Sequence, residues 1–285
     1  MINHIKPIEP IDYLIVGHIT QDIVPDGFVP GGTASYSSLT ARSFGLRVGI
    51  LTSYAENVIL PDLHDIQIVS TISEKSTVFE NKYAKDGRHQ KILSRAEILH
   101  PNQIPLTWSS PKIVHLGPIA DEVDPTFLKS FPNSFIGVTP QGWYRSWDKE
   151  GTVRFQNCIE SKHFLQYADA VVLSIEDLQF DEGIIADLVY GIRVLVITEG
   201  SWGARVYWNG DVRNFKAPER EEVDATGAGD IFATAFFIRM AQTKDPWTSA
   251  RFATQIAANS VTRKAMESPP SDLEIQKNLT EIMQN

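Results

Sequence analysis

The chain has a single cysteine, Cys158, in 285 residues. An internal disulfide is therefore impossible, and a reducing cytoplasm is the expected setting. No stretch approaches the roughly 18 consecutive apolar residues of a membrane helix, and residues 1–10 have no apolar core that would mark a leader. Basic residues are also scarce: 26 Lys and Arg stand against 35 Asp and Glu, a net charge of −9. That balance argues against nucleic acid or an anionic membrane as partner, because both need clustered cations. The seven histidines are scattered without a His-Glu-x-x-His pair, so no zinc site is expected. The Gly-x-x-x-x-Gly-Lys-Ser/Thr phosphate loop is missing, as is the Lys, His-Arg-Asp and Asp-Phe-Gly set of protein kinases.

What is present reads as one domain spanning residues 1–285, without repeats, low-complexity tracts or a Pro/Ser linker. Short β-branched runs at 13–16, 48–51, 113–116, 135–138, 171–173 and 194–197 predict buried strands. Helical spacing is found at 34–44, 125–130, 176–188, 230–241 and 247–262. Strands alternating with helices predict an α/β fold with a mostly parallel sheet covered on both faces. Residues 205–208 and 212–215 around Asn209-Gly210 predict a hairpin, hence an antiparallel edge. Two segments break the alternation, 22–30 and 76–94, the second centred on Asp86-Gly87. They are read as a small β-lid projecting from the main sheet.

Two further segments carry chemistry. Val223-Asp224-Ala225-Thr226-Gly227-Ala228-Gly229-Asp230 runs into a segment whose Ile231, Phe232, Ala235, Phe236 and Met240 recur near helical spacing. Its glycines let the backbone approach an anion, and a helix start offers unpaired N–H groups and the positive dipole end. A carboxylate in such a cradle repels phosphate. Asp230 makes sense as the acceptor of a proton from a group attacking that phosphate, with Gly227, Ala228 and Gly229 as the anion hole. At the other end of the chain, Gly31-Gly32-Thr33-Ala34-Ser35-Tyr36 again sets paired glycines before a helix. It follows Val16-Gly17-His18-Ile19-Thr20-Gln21-Asp22, a strand that ends in a loop with a carboxylate.

Taken together, these segments resemble the ribokinase-like (PfkB) carbohydrate kinases, whose signature reads Asp-Thr-x-Gly-Ala-Gly-Asp, with Ala225 here in place of its Thr. The resemblance implies a three-layer sandwich with a β-lid and ATP-dependent transfer of the γ-phosphoryl group to a hydroxyl of a small sugar or polyol. It implies sugar contacts from Asp22, Gly31 and Gly32, and nucleotide contacts from Thr198, Gly200, Gly203 and, on the C-terminal helix 250–263, Asn259. The family's Asn-x-x-Glu is replaced by Ser174 and Asp177, which puts Asp177 beside Mg²⁺ through a water. Asp224 and Ala225 are either a monovalent-cation site or the entrance to the turn. Thr33 and Tyr36 replace a Lys and an Asn that contact ribose in ribokinases proper, while VGHITQDIV, GGTASYSS and TPQGW look more like the myo-inositol kinase branch. That branch implies Gln141 as an acceptor contact and a myo-inositol-like acceptor. A nucleoside or ribose kinase of the same fold stays open, with Tyr36, Trp143 and Tyr144 as base-stacking candidates. So does a sensor that binds sugar or nucleotide without catalysis. A monomer, or a homodimer through the lid, is the expected assembly.

Overall fold

The structure is a computed structural model in which residues 7–84, 87–157 and 163–284 are described. Residues 1–6, Asp86 and Cys158 lie outside that set. In chain order the strands begin with β1 (Tyr13–Val16), β2 (Thr20–Val24), β3 (Gly27–Gly31), β4 (Val48–Tyr54) and β5 (Gln67–Ile72). Next come β6 (Val78–Ala84), β7 (Gly87–Ser94), β8 (Ile113–Leu116), β9 (Phe135–Val138) and β10 (Arg145–Trp147). The last are β11 (Val153–Phe155), β12 (Ala170–Ser174), β13 (Val194–Thr198), β14 (Ala204–Trp208) and β15 (Asp211–Phe215). The helices with described bounds are α1 (Thr33–Ser43), α2 (Glu182–Val189), α3 (Ala228–Thr243), α4 (Pro246–Ser260) and α5 (Asp272–Gln284).

The central sheet runs β15-β14-β13-β12-β9-β8-β1-β4-β5. Every pairing in it is parallel except those of β14 and β15 at one edge. Side chains alternate between its faces, as the two-residue strand period requires. Tyr13 and Ile15 face a core filled by α1, α3, α4 and α5, whereas Leu14 and Val16 face a second core that includes α2. Helix α4 starts where Asp245 accepts from the amides of Trp247 and Thr248, with Pro246 in the first turn. Helix α3 lies directly over β9: a side chain on Gly137 would sit 2.5 Å from the Phe237 ring. Its C-cap residue Lys244 lies over the ring of Phe135, the first residue of β9, so its first turn comes to the C-terminal ends of the central strands.

The lid is a four-stranded sheet, β3-β2-β6-β7. Its first segment is a hairpin that turns at Pro25 and Asp26 rather than one extended piece, with β2 pairing parallel to β6. Phe79 and Ile92 pack with Ala120 and hold the lid to the loop after β8. The edge hairpin is as expected, with Asn209 and Gly210 both at positive φ.

The expected helix at 176–188 is broken. A short 3₁₀ turn, Glu176–Leu178, ends in Gln179 and Phe180, both left-handed, and α2 restarts after the N-cap Asp181. At 125–130 there is only a 3₁₀ turn, Pro125–Lys129. Strand β5, the small β10–β11 hairpin and α5 are additional elements. No helix among the described residues is long and apolar enough to cross a membrane.

Candidate active site

The chain leaves β1 toward β4 on one side and later returns at β8 on the other. In such sheets the crevice beyond the carboxyl ends of the two strands is where ligands bind. Two glycines bring its walls together. A Cβ on Gly17 would lie 2.5 Å from the carbonyl oxygen of Gly117, and one on Gly117 would lie 2.5 Å from the Thr33 methyl group. Buried Glu122 braces the same place by accepting from the amides of His18 (3.0 Å), Ile119 (2.9 Å) and Ala120 (2.7 Å). His18 is itself buried, with Nε2 donating to the Glu97 carbonyl and Nδ1 facing the Thr77 hydroxyl. Burial holds its pKa below the ordinary value despite the opposing pull of Glu122.

On the lid side, Asp22 lies over Gly31: a Cβ there would be 2.5 Å from Asp22 Oδ2. Gly32 has φ of 85°, and a Cβ on it would be 2.7 Å from the carbonyl of His18. The three residues expected to grip an acceptor are thus in one place. Two amides that sequence reasoning missed extend the group. Asn81 donates to Asp22 Oδ1 at 3.3 Å, and Gln90 donates to Asn81 Oδ1 at 2.8 Å. The hydroxyl of Thr20, next to both glycines, is buried without a partner among the described residues.

On the phosphate side, Gly227 takes φ of 81° as the N-cap of α3, and Asp230 is half-buried in the first turn. A Cβ on Gly227 would lie 2.5 Å from Cγ of Tyr36 and closer still to two other ring atoms. The two glycine motifs are therefore in direct contact through Tyr36. The anion hole differs from expectation at Ala228, whose N–H closes the turn onto the Ala225 carbonyl at 3.2 Å. Asp224 accepts from the amides of Thr226 and Ala265, both at 2.9 Å, and so pins the turn to the segment after α4. Burial raises its pKa, but these hydrogen bonds and nearby Lys264 outweigh that and leave it below the ordinary value. Its geometry is that of the turn's entrance.

Beneath α3 runs a buried polar chain that sequence reasoning also missed. The Tyr13 hydroxyl meets His115 Nδ1 at 2.9 Å, and His115 Nε2 meets the Thr139 hydroxyl at 2.9 Å. Burial pushes the His115 pKa down to about 3, so the ring is neutral. Two residues past Thr139, Gln141 donates through Nε2 to Asp177 Oδ1 at 2.6 Å. Asp177 Oδ2 accepts from the Ser174 amide at 3.3 Å, and the Arg145 guanidinium lies 3.8 Å from Oδ1. The expected acceptor contact and the expected metal neighbour are one cluster.

The nucleotide candidates Thr198, Gly200 and Gly203 lie at the end of β13 and in the loop that follows it. The Thr198 hydroxyl donates to Leu173 at 3.4 Å, and Gly200 is exposed. Gly203 is buried at φ of 100°, where a Cβ would run into the Phe215 carbonyl. Nearby, a cavity of about 650 Å³ opens between β15, residues 216–219 and α4. Phe215, Lys216, Trp247, Arg251, Thr254 and Gln255 are among its lining residues. Thr254 Oγ1 and Gln255 Oε1 are buried there without partners among the described residues. Asn259 lies outside that lining, one turn further along α4, and accepts from Arg220 at 2.8 Å. Tyr36, Trp143 and Tyr144 are buried in the core, so they do not offer faces to a base.

Residues 177–272 match the family model described as pfkB family carbohydrate kinase. That match spans about a third of the chain. A fructokinase from Escherichia coli is 29% identical over 152 residues, 48% of this chain and 48% of that protein. The chain thus aligns with about half the length of this curated relative. Among solved structures, a pyrophosphate-dependent kinase in the ribokinase family, complexed with a pyrophosphate analog and myo-inositol, superposes with a TM-score of 0.70 at 19% identity. That superposition covers 90% of this chain and 98% of the other. A ribokinase from Arabidopsis thaliana, complexed with ribose and ATP, gives 0.68 at 17% identity, covering 95% and 99%. The chain has the ribokinase-like fold.

A ribokinase-like fold implies Mg²⁺, and Asp177 is the residue expected to order its water. The donor set does not fit that role. Both oxygens of Asp177 accept hydrogen bonds from the protein, and its charge faces Arg145. Among the described residues no group of three or more His, Cys, Asp or Glu side chains could hold a metal ion.

Proposed function

We propose that this protein transfers the γ-phosphoryl group of ATP to a hydroxyl of a small sugar or polyol, with a myo-inositol-like ring as the favoured acceptor. The contact of Tyr36 with Gly227 carries this reading, because it sets the acceptor-gripping turn against the anion hole. Asp22, Gly31 and Gly32 bind acceptor hydroxyls under the lid, and charged carboxylates make the stronger hydrogen bonds. Asp230 orients the attacking hydroxyl and takes its proton. An ordinary Asp, with a pKa of about 3.9, is too weak a base to ionise an alcohol beforehand. In a loose phosphoryl-transfer transition state the proton leaves late, so placement counts for more than basicity. The amides of Gly227 and Gly229, which have no backbone acceptor among the described residues, stabilise charge on the group in transit.

Several observations support the substrate classes. One neighbour in fold binds myo-inositol, another binds ribose and ATP, and the aligned curated relative is a fructokinase. The cavity beside α4, with its aromatic and unpartnered polar lining, gives a base somewhere to sit and favours ATP over pyrophosphate. The burial of Tyr36, Trp143 and Tyr144 speaks against a nucleoside acceptor.

The test is an ADP-release screen over inositols, hexoses, pentoses and nucleosides with ATP and Mg²⁺. Asp230→Asn should lower kcat by at least about a hundredfold while ATP still binds. Near-normal turnover by that variant would sink the assignment.

A further inference from the structure

We infer that Asp177 is a positioning residue of the acceptor site, turning the Gln141 amide so that its oxygen is presented to an acceptor hydroxyl. This rests on the acceptor reading given above. An ionised carboxylate can only accept hydrogen bonds. The Gln141 atom 2.6 Å from Asp177 Oδ1 must therefore be the nitrogen, and the carbonyl oxygen must point away. No hydrogen bond from the described residues reaches that oxygen. Gln141 follows the C-terminal end of β9, the strand next to β8, at the same end of the sheet as the crevice at β1.

The support behind Asp177 is built for holding rather than for metal. Its second oxygen accepts from Ser174 at 3.3 Å, which ties the carboxylate to the end of its own strand. Arg145, only 12% exposed, lies 3.8 Å from Oδ1 and donates to the Ile119 carbonyl at 3.2 Å. That cation offsets the carboxylate charge in a largely buried place. Gly142 lets this turn lie on the loop after β8, because a Cβ there would be 2.5 Å from the Ile119 nitrogen. Without Asp177 the amide could turn over and offer its NH₂ group instead. With it, the site asks for an acceptor hydroxyl that donates.

The experiment uses the best acceptor from the panel above and measures acceptor KM, kcat and the Mg²⁺ concentration for half-activation. Asp177→Ala should raise the acceptor KM about five- to tenfold, the value of one hydrogen bond, with a much smaller change in kcat. The Mg²⁺ requirement should stay where it is. Asp177→Asn retains an acceptor oxygen and should recover most of the KM, whereas a metal carboxylate would not be replaced by an amide. Because Asp177 acts through Gln141, the double variant Gln141→Ala, Asp177→Ala should bind acceptor no worse than Gln141→Ala alone. A raised Mg²⁺ requirement, an Asn variant as poor as Ala, or additive losses would overturn the inference. Should Asp177→Ala unfold, the Asn variant and Gln141→Ala still decide it. A wild-type protein inactive on the whole panel would overturn the kinase reading and this assignment with it.

Discussion

Gly227→Ala tests the junction on which the site depends. Residue 227 sits at φ of 81°, a conformation that costs an L-residue roughly 1–2 kcal/mol. The new methyl would also lie 2.5 Å or less from ring atoms of Tyr36, which is only 2% exposed and has nowhere to retreat. Overpacking of this kind costs about 1–3 kcal/mol. The sum, about 2–5 kcal/mol, is a large part of a typical total stability of roughly 5–15 kcal/mol. For a chain of this size the melting temperature should fall by roughly 5–15 °C. If the turn shifts to relieve the clash, the anion hole moves by an appreciable fraction of an ångström, and kcat should fall about a hundredfold. Thermal melting and steady-state ADP release measure the two effects separately. Removing the ring in a Gly227→Ala, Tyr36→Ala double variant should give a coupling of at least about 1 kcal/mol, because the methyl no longer meets it. A single variant with wild-type melting and turnover, or strictly additive losses in the double, would refute the reasoning.

Two further predictions concern acid and the donor. His115 has its pKa lowered to about 3 and His18 is also lowered, so an unfolded chain binds more protons than the folded one below about pH 6.5. Stability is full above that pH and falls with acid; His115 alone should lose about 2 kcal/mol between pH 7 and pH 5. The carboxylates with depressed pKa values, Asp12, Asp124, Asp148, Glu182 and Asp224, release their share only below about pH 4.5, so the two windows separate. Urea unfolding at pH 7, 6 and 5 measures this, and a flat profile would contradict it. Thr254→Val removes a buried hydroxyl that has no partner among the described residues. It should melt at or above wild type yet raise the KM for ATP about three- to tenfold, and an unchanged KM would remove the cavity from the donor site.

Glycine made the two motifs legible. Gly31, Gly32 and Gly227 are needed because a side chain at each would strike a neighbour, and paired glycines before an apolar periodic run announce that need in one dimension. The parallel strands were legible too, since burial on both faces leaves short uninterrupted apolar runs. Strand β5 escaped notice because it is partly exposed and mixes polar with apolar residues. The break before α2 rests on two left-handed residues, Gln179 and Phe180, neither of which is a glycine. The missing site residues have a common cause. Tyr13 and His115 are 102 residues apart, and His18 and Glu122 are 104 apart, so no local pattern joins them. One signal was available: His115 stands inside Ile113–Leu116, an otherwise apolar buried strand, where a polar side chain has to find partners.

The chain carries a net charge of −9 and, on the proposed reading, must still hold a polyanionic donor. It resolves this by position rather than by total. Around the proposed donor cavity stand Arg213, Lys216 and Arg251 against one acid, Glu219, and on this reading the phosphates meet amides at the start of α3, which supply positive potential without a lysine. The acceptor wall is of the opposite kind. Asp22, Asn81, Gln90 and Gln141 are carboxylate and amide groups, and the charge of Arg145 is offset by Asp177. A neutral polyhydroxy ring can satisfy such a wall with its hydroxyls. A phosphorylated or carboxylated acceptor would instead bring a second anion beside Asp22 and Asp230. On the proposed reading, this division of charge across the crevice favours an uncharged acceptor while leaving the donor free to be highly charged.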